Sequence, residues 1–288
     1  MEISNIIQIL LFGLIEGSII AIGALGLTLS YGVTRFINFA YGEFLTYGAF
    51  LTLFLSLAGM PLAVAGLVSA LLIGWFGVIV AKVAYEPLTD RGPISLLIAS
   101  IGVSFLLRNS LRAGVGTSER SYDVPLLQPL SFGDIFIGKV AVGIFIVAIV
   151  TLMVLYFVLQ KTMLGKKMRA TSSNRQLATI SGVDTDSLVD KVWFISAGIG
   201  GLCGILLALQ FSPFRPGMGW NFLIVVFAAT ILGGIGRPRG AVIGALVVGV
   251  AMNLGTFYFS SSYTFAYAFA ILVVALLFKP EGIVTGEF

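Results

Sequence analysis

The sequence predicts an all-α fold, a polytopic transmembrane helical bundle of about nine spans, with eight to ten as the bounds. Three observations carry this reading. Apolar residues fill 58% of the 288 positions, and Asp, Glu, Lys and Arg together supply only 10%, where a soluble domain uses roughly a quarter to cover its surface. Mean hydropathy is +1.05 over the whole length, as a succession of membrane spans requires. Runs of about 20 apolar residues bounded by charges or turn residues recur at 6–30, 38–58, 62–84, 94–111, 136–159, 190–211, 220–235, 240–259 and 263–279. Residues 1–288 therefore read as a single transmembrane domain with one long polar segment, 160–189, inside it. A soluble enzyme, a nucleic-acid binder and a secreted disulfide scaffold are excluded, and the lipid bilayer is the expected surrounding.

Taken in order, the first run shows no signal-peptide pattern, because Met1 to Asn5 holds no cation and the apolar stretch is too long. That length also bears on Glu16. Either its carboxyl lies at membrane depth, or residues 6–15 form an interfacial helix with Glu16 near the outer surface, and the excess length favours the second. The second run opens on Tyr31-Gly-Val-Thr-Arg-Phe-Ile-Asn38-Phe-Ala-Tyr41-Gly42-Glu43. Ionisable groups within a span are costly and face a cavity or a partner, so Asn38 and Glu43 are expected to point inward. Asn38 also suits a helix cap, with Glu43 in the first turn near the positive end of the dipole. The runs 94–111, which ends in Arg108-Asn109, and 220–235, which ends in Gly233-Gly234-Ile235-Gly236, read either as broken or re-entrant helices or as short tilted ones. Small residues four apart, at Gly13/Gly17, Gly200/Gly204, Gly240/Gly244 and Ala245/Gly249, mark faces for close helix packing.

The cations give sidedness. With 160–189 cytoplasmic, alternation places 12 of the 17 Lys and Arg inside, Lys279 among them, and leaves Arg108, Arg112, Arg120, Lys139 and Arg215 outside. The N-terminus is then outside and the C-terminus inside. Within 160–189, residues 173–181 form a short amphipathic helix with Leu177 and Ile180 or Ser181 on one side, closed by Gly182. A charged helix across the cytoplasmic face suits docking to a soluble partner. Asp184, Asp186 and Asp190 superficially resemble the magnesium cluster of membrane prenyltransferases, but one cluster without a second is insufficient. Capping by Asp184 or Asp186 is the better reading.

Other chemistry is excluded. With no His and one Cys, Cys203, there is no zinc site of the usual ligands, no Ser-His or Cys-His catalysis and no internal disulfide. No P-loop, voltage-sensor arginine series or potassium filter occurs. No catalytic residue, metal or cofactor is expected.

The stretch from Tyr31-Gly32 through Ile37-Asn38-Phe39-Ala40-x-Gly42-Glu43 resembles the signature of the LivH-type permeases of branched-chain amino-acid ABC importers. Val83-Ala-Tyr-Glu-Pro-Leu, Ile98-Ala-Ser-Ile-Gly-Val-Ser, Gly165-x-x-x-Arg169-Ala, Ser181-Gly-Val-Asp-Thr-Asp and Ile231-Leu-Gly-Gly-Ile-Gly-x-Pro-x-Gly240-Ala-Val-Ile-Gly244 follow in the family's order. The resemblance implies a non-catalytic subunit in the cytoplasmic membrane that translocates leucine, isoleucine or valine. It implies pairing with a second, related permease, docking of two cytoplasmic ATPase subunits, and delivery of substrate by an extracytoplasmic binding protein. Gln176-Leu177-Ala178-x-x-x-Gly182 is similar to the Glu-Ala-Ala-x-x-x-Gly motif of importer permeases, and with Arg169 and Asp184 it becomes the expected ATPase-coupling segment. Asn38, Tyr41, Gly42, Glu43, Ser100 and Ser104 are the expected substrate-pathway residues, and Gly233, Gly234 and Gly236 the expected helix break. Tyr41 stands where the family commonly has His, so a titrating imidazole is not available there. Urea and short-amide permeases of the same family share these motifs. A gradient-driven secondary transporter would need more carboxylates within its spans.

Overall fold

The computed structural model describes residues 3–125, 128–133, 135–278 and 282–284; Met1 and Lys279 lie outside the described residues. In chain order the elements are α1 (Ile3–Thr34), α2 (Tyr41–Leu57), α3 (Leu62–Val80), α4 (Pro93–Val115), β1 (Leu130–Phe132), β2 (Ile135–Ile137), α5 (Lys139–Lys161), α6 (Met163–Ser173), α7 (Arg175–Ile180), α8 (Thr185–Gln210), α9 (Met218–Gly233), α10 (Pro238–Tyr258) and α11 (Thr264–Phe278). Each predicted span holds one helix. Among the described residues, six segments are long and apolar enough to cross a membrane: α1, α3 with its continuation to Arg91, α4, α5, α8 and α10. The other three, α2, α9 and α11, have 17, 16 and 15 residues.

Several expectations change. α1 is one unbroken helix of 32 residues, about 48 Å long, so residues 6–15 are not a separate interfacial helix. Glu16 lies in mid-helix, buried, and its carboxylate accepts a hydrogen bond from the Asn253 amide of α10. α4 is likewise continuous, because Pro93 at its start costs no helical bond and Gly116, with φ 77°, ends it. The run 136–159 splits into strand β2 and helix α5, β2 pairing antiparallel with β1.

α8 is the hub. It packs on α1, α2 and α3, and glycines bring the backbones together: a Cβ on Gly204 would overlap the Leu45 carbonyl of α2, and one on Gly48 would overlap Gly201. Gly17 of α1 meets Gly249 of α10 in the same way, and Gly233 of α9 meets Gly240. Apart from Gly200, which meets the Tyr41 ring, the glycines of the small-residue pairs read from the sequence are places where helices touch through main chain, the packing that lipid surroundings favour. Cys203 sits in this core as a buried thiol against the Ile19 carbonyl. Outside it, Leu67, Leu71 and Trp75 on α3 and Val150, Met153 and Phe157 on α5 are exposed, as a surface bathed in acyl chains requires.

Candidate functional site: a buried ion pair behind a polar turn

The turn between α1 and α2 builds the site. Arg35 takes a left-handed backbone conformation, φ 58°, and donates from its guanidinium to the Ser172 carbonyl of α6. The chain then turns through 36–40. The side-chain oxygen of Asn38 accepts from the Ala40 amide at 2.9 Å and from the Tyr85 hydroxyl at 3.1 Å. Asn38 therefore ties the turn together two residues before the helix, and α2 itself starts after Ala40 without a side-chain cap. Ser100 of α4 accepts from the Phe39 amide at 3.1 Å and donates to the Leu97 carbonyl at 2.7 Å. Both residues anchor this turn.

One turn on, Glu43 is fully buried, and its Oε1 accepts three hydrogen bonds, from Ser104 Oγ at 3.0 Å, Arg108 Nε at 3.0 Å and Arg108 Nη2 at 2.8 Å. Arg108 Nη2 also donates to Ser104 Oγ at 3.0 Å. The guanidinium lies over the Trp220 ring at 4.1 Å and the Phe105 ring at 5.5 Å. Charges removed from water persist when paired and hydrogen-bonded, and this one is paired, bonded and covered by aromatic faces. Glu43 Oε2 and Asn38 Nδ2 find no partner among the described residues. Gly42 positions the cover, because α2 and α9 cross with Gly42 against Gly219, and the Gly219 amide donates to Thr46 Oγ1 at 3.1 Å. That crossing sets Trp220 over Arg108.

The sequence-predicted pathway residues therefore divide. Asn38, Glu43, Ser100 and Ser104 come together along the seam of α2 and α4. Tyr41 points the other way, fully buried, its ring against Gly26 of α1 and Gly200 of α8. Arg108 was missed. A cation near the end of a predicted span reads as a loop charge, but its position four residues after Ser104 and the need of Glu43 for a partner were the signals available.

At the basic end of the bundle, the segment 160–189 contains two helices. α6 was not expected; the Thr162 hydroxyl caps it, and Gly165 lies against the Leu159 carbonyl, to which Arg169 also donates. α7 is capped by Asn174 and closed at Gly182, φ 83°, so it is shorter than the expected 173–181. Ala178 is buried, whereas Gln176, Leu177 and Ile180 are exposed. Asp184 caps α8 by accepting from the Ser187 amide at 3.1 Å. Asp186 pairs with Arg175 at 3.0 Å and Asp190 with Lys82 at 2.8 Å. These acids are spent on caps and pairs, and no metal-type cluster occurs among the described residues. Gly234 and Gly236, at φ 103° and 81°, form the break between α9 and α10. Residues 283 and 284 bond back to the Leu232 and Gly233 carbonyls there.

A bundle of apolar helices crossing through glycines, with a charged pair sealed inside it, defines a multi-pass membrane protein. Residues 9–278 match the family described as branched-chain amino acid transport system / permease component, and the chain belongs to that family. It is 30% identical to the high-affinity branched-chain amino acid transport system permease protein BraD of Pseudomonas aeruginosa, over 98% of this chain and 96% of that one. It is 30% identical to the permease protein LivH of Escherichia coli K12, over 94% and 92%. Its fold resembles that of PsaBC from Streptococcus pneumoniae, solved in complex with Fab, with a TM-score of 0.52 at 15% identity, covering 96% of this chain and 93% of that one.

Proposed function

We propose that this chain is the membrane-spanning permease subunit of an ATP-driven importer of leucine, isoleucine and valine, one permease domain crossing the inner membrane nine times. The observation that carries the reading is the 30% identity, over nearly the full length of both chains, to permeases named for branched-chain amino acids. On this reading the basic end, with α6 and α7, is cytoplasmic, the N-terminus is outside and the C-terminus inside. A second, related permease completes the translocation path, and ATP is hydrolysed by two cytoplasmic ATPase subunits. A binding protein delivers substrate from outside.

On this reading each group has a part. Exposed Leu177 and Ile180 on α7 are apolar points for an ATPase groove, with exposed Gln176 beside them, while Arg169 braces α6 against the Leu159 carbonyl. Movement of α6 reaches the start of α2 through the bond from Arg35 to the Ser172 carbonyl. The turn bearing Asn38 and the pair of Glu43 with Arg108 then lie where alternating access opens and closes the path. Ser100 and Ser104 hold that turn and that pair in place. The test is uptake by the reconstituted complex. ATP-dependent leucine uptake, competed by isoleucine and valine but not urea, is expected. Uptake of urea or a short amide instead would overturn the substrate class, and gradient-driven uptake without an ATPase would overturn the ABC assignment. Deleting residues 173–182 should release the ATPases; an intact complex would reject α7 as the coupling segment.

A further inference from the structure

At the end of the bundle away from α6 and α7, a cavity of about 710 Å³ opens between α1, α4, α8, α9, α10, α11 and the 211–217 segment. Its volume is that of a small-molecule site. Its wall carries both signs of charge. Glu16 of α1 presents a carboxylate held by the Asn253 amide, and Arg112 of α4 presents a guanidinium lying against Gly217 that makes no hydrogen bond to another described residue. At the rim, Arg215 is already paired with Glu119, so Arg112 is the cation left for a ligand. The same wall carries the apolar side chains of Leu207, Phe222 and Met252 beside a few neutral polar groups such as Asn221 and Thr264. Arg112 stands one helical turn beyond Arg108, so the cavity adjoins the pair with Glu43 on the same helix.

We propose that this cavity is where the permease first receives the free amino acid, a zwitterion with an apolar side chain. Its carboxylate is recognised by Arg112, its ammonium by Glu16, and its side chain by Leu207, Phe222 and Met252. A neutral urea or amide would use neither charge, and a sugar would not use the apolar wall. The inference rests on the importer reading above.

The sole cysteine of this chain is buried, so a second one placed in the cavity is the reactive thiol on this chain, read on its own band after the subunits are separated. In the assembled complex without ATP, Asn221→Cys, a change at a cavity residue, is labelled with a water-soluble maleimide. Leucine should slow labelling, and ribose should not. Arg112→Gln and Glu16→Gln should each raise the leucine concentration for half-protection about tenfold. Met252→Trp, which fills the cavity without changing a charge, should abolish protection. Labelling unaffected by leucine in a complex that still imports leucine would overturn the cavity assignment and leave the importer reading standing. A complex that neither imports leucine nor shows protection would remove both. If the introduced thiol were unreactive before ligand is added, a partner chain would cover the cavity, which also overturns the proposal.

Discussion

Glu43 and Arg108 lie 65 positions apart in sequence and meet at 2.8 Å, with both Arg108 bonds and that of Ser104 converging on one carboxylate oxygen. Neither charge is tolerable alone at that depth. Arg108→Leu should cost about 3–5 kcal/mol, because it strands the Glu43 carboxylate, and Glu43→Leu should cost a similar amount. The double substitution should recover most of this loss, read as the melting temperature of the purified complex. Uptake should stay lost in the double variant, and full leucine uptake there would take the pair out of the path.

Asn38 serves two donors at once. Asn38→Leu leaves the buried Tyr85 hydroxyl and the Ala40 amide without their acceptor, a cost of about 1–3 kcal/mol for an unsatisfied group. Tyr85→Phe in the same chain should relieve part of it. Additive melting shifts for the two changes would refute the shared bond.

Gly204 and Gly102 make a matched pair. A Cβ at Gly204 would overlap the Leu45 carbonyl, while one at Gly102, also helical, meets nothing within 4 Å. Gly204→Ala should therefore lower the yield of folded protein sharply. Gly102→Ala should be neutral or stabilising by about 0.5–1 kcal/mol. Equal behaviour of the two, scored by monodisperse peak height in detergent, would contradict the α2–α8 contact.

Leu177→Glu with Ile180→Glu changes two exposed side chains, at 62% and 83% accessibility. The permease should melt unchanged, within about 0.5 kcal/mol, yet lose its ATPase subunits on affinity purification. Retention of stoichiometric ATPase would show that docking occurs elsewhere.

Much of this architecture was legible in the sequence, since apolar runs measure spans directly and each run holds one helix, that at 136–159 with strand β2 at its start. α6 was not, because Met163–Ser173 exposes Lys166 and Lys167 to water and reads as a polar loop. Its helix depends on the Thr162 cap and on Gly165 reaching the Leu159 carbonyl. The site was half legible. Asn38 and Glu43 announced themselves as polar groups in apolar surroundings, but partners distant in sequence, Arg108 for Glu43 and Asn253 for Glu16, depend on which helices become neighbours. Tyr41 illustrates the same limit, since only the placement of Gly26 and Gly200 opposite its ring turns it away from the seam.

The glycine contacts of α8 and α1 have a mechanical meaning. Helices touching through main chain have no side-chain layer to shear, so α1, α2, α8 and α10 act together as a stator. α4 meets that stator chiefly at α2, through the side chains of Ser100 and Ser104 rather than through main chain. The pair of Glu43 with Arg108 is therefore a clasp that fastens α4 to the frame by charge instead of backbone contact.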